Sequence, residues 1–181
     1  MKREAGFTLT EILVVMGIVV ILLSVGVPSF RYVTTANRLS GEINGLLGDM
    51  QFARSEAIRE GRDVVLCQSS DGTTCTDHPA EWTSGWLVWA DLNDDGTFDP
   101  TMEILRHQTP LLSKDTLTPD GTSNLVTITF NREGFAKGLG NPAYMVLKDS
   151  TANAKYTRCL EITVVGSLST STPTTDPTNC K

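Results

Sequence analysis

The polarity of this chain changes abruptly along its length. Ile12 to Phe30 contains no charged side chain, and only Ser24 and Ser29 are clearly polar. An α-helix needs about 20 apolar residues to cross a hydrocarbon core of roughly 30 Å, so this run predicts a membrane span. From Leu39 the pattern changes. Leu39, Ile43, Leu46, Met50, Ala53 and Ala57 recur at alternating spacings of four and three. That spacing places them on one face of an amphipathic helix. Arg38, Glu42, Asp49, Glu56 and Glu60 fall largely elsewhere, and Gly61 suits a left-handed cap after the last turn. Pro28, at the end of the apolar run, can kink a helix without breaking the span. The sum is one long helix, half for the membrane and half packed on a domain. A free coiled coil has similar spacing, but this seam runs only about three heptads and lacks large residues.

Beyond the helix the pattern is that of strands. Val64–Gln68, Gly85–Ala90, Glu103–His107, Leu125–Phe130, Tyr144–Lys148 and Cys159–Val165 are β-rich runs separated by Gly, Pro, Asn and Asp clusters. Asn131-Arg132-Glu133-Gly134 follows one of them as a tight reversal. Trp82, Trp86 and Trp89 cluster around one strand; sheet packing explains them better than a ligand groove. The stretch from Ser167 to Lys181 is rich in Ser, Thr and Pro, a composition of extended chain with little core-forming capacity.

Composition narrows the class. A chain of 181 residues has room for about one domain. Its net charge of −6 disfavours a generic nucleic-acid binder, because affinity for phosphate backbones rests on Lys and Arg. Four cysteines behind an apolar N-terminal segment point to an exported, oxidising location; free thiols in a cytosolic protein are the competing reading. Lys2 and Arg3 precede the apolar run and no cation follows until Arg31, so the N-terminus is expected on the cytoplasmic side.

A secretory signal is the rival for the first thirty residues. Its apolar region usually spans about 7–15 residues and ends at a small-residue cleavage site. This run is longer, and Ser24-Val25-Gly26 is a poor site of that kind. Glu11 is more informative. An ionised acid deep in a bilayer costs roughly 2.5–3.5 kcal/mol even on insertion scales, so it normally has a partner. A secretory signal has no use for one.

Gly6-Phe7-Thr8-Leu9-Thr10-Glu11 resembles the cleavage and methylation motif of type IV prepilins. The resemblance implies that residues 1–6 are a leader and that a prepilin peptidase cuts after Gly6. It implies methylation of the new N-terminal Phe7 and pairing of Glu11 with the amine of a neighbouring subunit. Thr10 stands where pilins usually have an aliphatic residue. Ala53-Arg54-Ser55-Glu56-Ala57-Ile58, and Gly85-Trp86-Leu87-Val88-Trp89 through Glu103-Ile104-Leu105-Arg106, resemble the GspH/FimT group of minor pilins and pseudopilins. The implied fold is α+β. A transmembrane and assembly helix (7–30) continues as an amphipathic helix (31–61). This packs on an antiparallel β-sheet or sandwich head (62–166), followed by a Ser/Thr/Pro-rich tail (167–181). Implied partners are other pilin or pseudopilin subunits, the peptidase and the bacterial inner membrane, with the C-terminal domain periplasmic.

Four cysteines allow three connectivities, which sequence alone does not separate. Sequential pairing, Cys67–Cys75 and Cys159–Cys180, closes modest loops, and the second resembles the C-terminal loop disulfide of pilins. Asp91, Asn93, Asp95, Gly96 and Asp99 match positions of a calcium loop, but the closing acid is displaced by one, with Met102 in its place and Glu103 next. A polar hairpin is the plainer reading. No catalytic constellation is present in the pattern. His78 and His107 lie in unrelated segments, the cysteines lack paired zinc spacing, and Gly134, Gly138 and Gly140 do not form a phosphate loop. A non-enzymatic subunit with no required cofactor is expected.

Three functions remain open: a minor pilin that initiates or tips a pilus, a minor pseudopilin of type II secretion, and a DNA receptor. DNA-binding relatives carry a basic Gly-Arg-x-Arg-type motif near the C-terminus. Here the tail after Gly166 holds only Lys181 against Asp176.

Overall fold

The computed structural model describes residues 6–76, 79–93, 95–99, 103–111, 113–120, 125–173 and 180. It divides into two compact units, Met1–Asn37 and Arg38–Lys181. Helix α1 runs from Leu9 to Glu60 without interruption at Pro28. In the first unit the apolar side chains from Ile12 to Phe30 are exposed throughout. Ser24 returns its hydroxyl to the Ile21 carbonyl at 2.7 Å, so this polar side chain of the run is satisfied within the helix.

In the second unit, α1 buries the face read from its periodicity: Leu39, Ile43, Leu46, Met50, Ala53 and Ala57. Two antiparallel sheets complete the core. The first has the order β3-β2-β1-β5-β6, built from β1 (Val64–Gln68), β2 (Trp86–Ala90), β3 (Ile104–Gln108), β5 (Thr127–Phe130) and β6 (Ala136–Lys137). The second has the order β4-β7-β8-β9, from β4 (Thr116–Pro119), β7 (Ala143–Lys148), β8 (Arg158–Ile162) and β9 (Leu168–Ser171). Alternation along β1 explains why every residue of Val-Val-Leu-Cys-Gln is buried. Val64 and Leu66 join the main core with α1, while Val65 and Cys67 join a second cluster with Leu87 and Trp89. Phe98 and Cys75, from two loops, cover that second cluster. The Phe98 ring lies 5.3 Å from that of Trp89. Trp82 and Trp86 are buried in the main core, their indole N–H groups donating to Leu125 O at 2.8 Å and to Asp49 Oδ2 at 2.9 Å.

Arginines tie α1 to both sheets. Arg38 makes a two-pronged pair with buried Asp115, at 2.7 and 2.9 Å. Arg54, within the Ala53–Ile58 segment, donates to the Gly134 carbonyl (2.9 Å) in the β5–β6 hairpin and the Val165 carbonyl (3.4 Å) after β8. Arg106 reaches Asp49 at 3.0 Å and lies 3.6 Å above the centre of the Phe52 ring.

Three differences from the sequence expectations stand out. The tail from Ser167 is more than extended chain: Leu168–Ser171 pairs with β8 in register Ile162↔Leu168 to Cys159↔Ser171. Its Ser and Thr carry no apolar signal, and its strand form comes from the ladder. The run read as Cys159–Val165 ends at Ile162, where Gly166, at φ +74°, turns the chain. The strands β4 and β6 were not expected, because each carries a single buried apolar residue, Leu117 and Ala136.

Candidate assembly segment and acidic loop

Gly6 and Phe7 are exposed ahead of α1. Thr8 caps the helix: its hydroxyl accepts the Glu11 N–H at 3.3 Å and lies 3.2 Å from the Thr10 hydroxyl. Thr8-Leu9-Thr10-Glu11 is thus a capping-box sequence, a signal readable in the chain beside the prepilin-like motif and missed there. It also gives Thr10 a local partner. Glu11 sits in the first helical turn, where a negative charge is favoured by the helix dipole. Its carboxylate is exposed and forms no ion pair among the described residues. Phe7 is likewise 79% exposed. The proposed cleavage, methylation and assembly residues therefore occupy one exposed segment that makes no core.

Both disulfides form as sequential pairs. Cys67 and Cys75, with Cα atoms 5.6 Å apart, close the loop after β1, next to a bridge between Gln68 and Thr76. Cys159 and Cys180, 5.7 Å apart, tether the tail to β8. Within the first loop Asp71 accepts backbone N–H groups from Thr73 and Thr74 at 2.8 Å and the Thr74 hydroxyl at 2.8 Å. Those bonds, the Thr73 N–H first, hold its carboxyl well below the usual range.

The acidic loop between β2 and β3 is held from within. Asp91 accepts the N–H groups of Asp95 (3.2 Å) and Gly96 (2.9 Å). Glu103, buried, accepts those of Leu92 (3.2 Å) and Asp99 (2.7 Å). The closing acid displaced by one position does close the loop, but onto backbone amides. Asp95 accepts the Thr97 hydroxyl and N–H, which lower its pKa. Asn93 donates to Asp95 at 2.9 Å. Among the described residues no group of three or more His, Cys, Asp or Glu is arranged to hold a metal ion. His107 lies against the Gly72 loop, while His78 is outside the described residues.

An open cleft of about 610 Å³ lies beside this loop, lined in part by Arg62, Asp63, Asp91, Arg132, Glu133 and Lys137. Lys137 pairs with Asp63 at 2.7 Å, Arg132 with Glu133 at 2.9 Å, and Arg62 donates to the Leu92 carbonyl. These cations are committed to local acceptors.

An apolar helix whose first turn carries an acid, continuing into the core helix of an antiparallel α+β head, is the build of a pilin-type subunit with a membrane anchor and a C-terminal globular domain. The chain belongs to the GspH family: the profile described as type II transport protein GspH matches residues 42–166. The prokaryotic N-terminal methylation motif matches residues 1–27. No curated protein matches the chain. Two crystal structures of the Pseudomonas aeruginosa type IV minor pilin FimU share the fold. One has a TM-score of 0.52 at 16% identity, over 80% of this chain and 90% of FimU. The other has 0.50 at 17%, over 76% and 90%. As a pilin-class protein the chain is a structural subunit that assembles with other pilin subunits.

Proposed function

We propose that this chain is a minor type IV pilin, processed after Gly6, N-methylated at Phe7 and drawn into a fibre through Glu11. The carrying observation is the exposed Glu11 carboxylate at the head of an apolar helix, without an ion-pair partner among the described residues. Cleavage after Gly6 creates an amine at Phe7, and the amine of an adjacent subunit supplies the missing charge. The fold likeness to FimU, a type IV minor pilin by description, supports the pilus over other fibres. The family description, type II transport, keeps a pseudopilin role as the second reading. The anchor is assigned to the bacterial inner membrane with the head in the periplasm, from Lys2 and Arg3 ahead of the apolar run. The prepilin peptidase is the processing partner, and the subunit works without catalysis or cofactor. A DNA receptor is disfavoured by the net charge of −6.

Mass spectrometry of the membrane form should find N-methyl-Phe7 at the N-terminus. An N-terminus at or beyond Val27 would mean a secretory signal and overturn the assignment. Deletion of the gene, scored separately for piliation, secretion and transformation, distinguishes the systems. Loss of secretion with normal pili would favour the pseudopilin, and loss of transformation alone the DNA receptor.

A further inference from the structure

The head is acidic overall, yet one end of it turns positive charge outward. At the end where α1 enters the second unit, Arg38 pairs with Asp115, and Asp115 is followed by β4, whose Thr116 stands opposite Lys148. Beside Lys148, Leu147 pairs with Arg158 of β8. Arg158 donates to the Ser40 hydroxyl at 3.1 Å and to the Lys155 carbonyl at 3.2 Å, which brings the loop carrying Lys155 to the same end.

The acids and cations of this end are sorted by depth. Asp115 and Asp149 are buried, and Glu42, whose charge also acts on Arg38, is half-buried. Asp149 spends its oxygens on its own turn, accepting the Thr151 hydroxyl at 2.7 Å and the Asn153 N–H at 3.4 Å. Lys114 and Lys155 are exposed and Lys148 and Arg158 half-buried, and none of the four forms an ion pair with a carboxylate among the described residues. The cleft-lining acids Asp63, Asp91, Asp95 and Glu133 lie past the other end of α1.

We propose that this basic end of the head binds the anionic headgroups of the membrane in which the chain is anchored. The proposal rests on the anchor reading, and position in the chain favours lipid as the occupant. Arg38 follows Phe30, the last residue of the apolar run, by only eight positions. Eight residues of helix rise about 12 Å, so the start of the head is tethered close to the headgroup layer. Attraction of Lys and Arg to anionic lipid acts within a Debye length of the surface, about 8 Å at physiological ionic strength. Exposed lysines with no carboxylate partner are the side chains that gain from it; a buried, paired Asp115 does not repel the surface at contact.

The test uses the full chain reconstituted in vesicles, with lysine acetylation by an activated ester read by mass spectrometry. Lys137, paired with Asp63, is the internal control. Phosphatidylcholine vesicles containing phosphatidylglycerol should slow labelling of Lys114 and Lys155 by roughly threefold relative to pure phosphatidylcholine, with high salt restoring it. Lys137 should be unchanged. Equal labelling in both vesicle types would overturn the proposal. Protection by duplex DNA in phosphatidylcholine, with none from phosphatidylglycerol, would overturn it in favour of a nucleic-acid surface. Failure of the chain to float with vesicles of either composition would instead remove the anchor reading on which the proposal rests.

Discussion

Replacing Gly166 by Ala tests how the helix and the two sheets are joined. Gly166 has φ +74°, and a Cβ there would lie inside contact distance of the Gly134 carbonyl oxygen and 3.2 Å from Arg54 Nε. Gly61 has a similar φ of +68°, but a Cβ there meets nothing within 4 Å. The pair separates backbone strain from crowding. Strain alone costs about 1–2 kcal/mol in each variant. In Gly166→Ala the Gly134 carbonyl must also move, which overpacks the junction by about 1 kcal/mol or more. The same movement breaks the Arg54–Gly134 hydrogen bond, a charge-assisted bond worth roughly 1.5–3 kcal/mol. The total is about 4–6 kcal/mol for Gly166→Ala against about 1–2 kcal/mol for Gly61→Ala, additivity being approximate for neighbours. For a domain of this size each kcal/mol moves Tm by about 3 °C, giving drops of about 12–18 °C and about 3–6 °C. Circular dichroism melts of the detergent-solubilised protein read both. Arg54→Met should lower Tm by itself and add little to Gly166→Ala, because both break the same bond. Equal shifts for the two glycines, or full additivity of Arg54→Met with Gly166→Ala, would refute the role given to the Arg54–Gly134 hydrogen bond.

Arg38→Ala leaves the buried Asp115 carboxylate without its partner. A fully buried pair broken in this way costs about 3–5 kcal/mol, but Arg38 is 32% exposed and solvent screens its side of the pair, so about 2–3 kcal/mol is expected by chemical denaturation. Loss of Cys159–Cys180 should destabilise the head more than loss of Cys67–Cys75. Their sequence separations of 21 and 8 give closure contributions of roughly 3.4 and 2.6 kcal/mol in the chain-entropy description, read by melts of the double Ala variants. Millimolar calcium is expected to leave Tm unchanged, because Asp91 and Glu103 spend their oxygens on backbone amides; a rise abolished by Asp91→Ala would show that the loop rearranges around the ion. The depressed pKa of Asp71 stabilises the fold above the ordinary carboxylate range and is lost as pH falls through the lower folded value, so Asp71→Asn should flatten the acid limb of the stability curve; an unchanged limb would refute it.

How much of this was readable in the chain follows from what each feature depends on. The buried face of α1 was legible residue by residue, since Leu39 to Ala57 repeat with the helical period. Both disulfides were legible as the sequential pairing, although the sequence left three pairings open. The strand β9 was not legible, because Ser169, Thr170 and Ser171 are exposed and owe their strand form to β8. Arg54 appeared only as part of a family-like helix segment. Its acceptors lie 80 and 111 residues further along the chain, and both are carbonyls, which no side-chain pattern marks. Glu103 was seen as an acid one place out of register. Burial of its side chain against the amides of Leu92 and Asp99 gives it a role that spacing alone does not reveal.

The two units differ in what they leave unsatisfied, and that difference bears on where the energy of assembly resides. The head buries a core of its own, stabilises its loops with Asp71, Asp91 and Glu103, and closes two disulfides. The first unit leaves its whole apolar run exposed. Lipid covers that surface as well as another helix does, so moving the segment from bilayer to fibre gains little from hydrophobic burial. A charge is different, because lipid offers it no partner. On the proposed reading, Glu11 is therefore the group that makes fibre preferable to membrane. Glu11→Ala should leave insertion intact, since the segment becomes more apolar, and should reduce recovery of the subunit in sheared fibres. Glu11→Gln keeps the size and removes the charge, so it should resemble the Ala variant if charge is what matters. Incorporation of Glu11→Gln at the wild-type level would show that the carboxylate acts through shape or hydrogen bonding, and the amine-pairing account would fall.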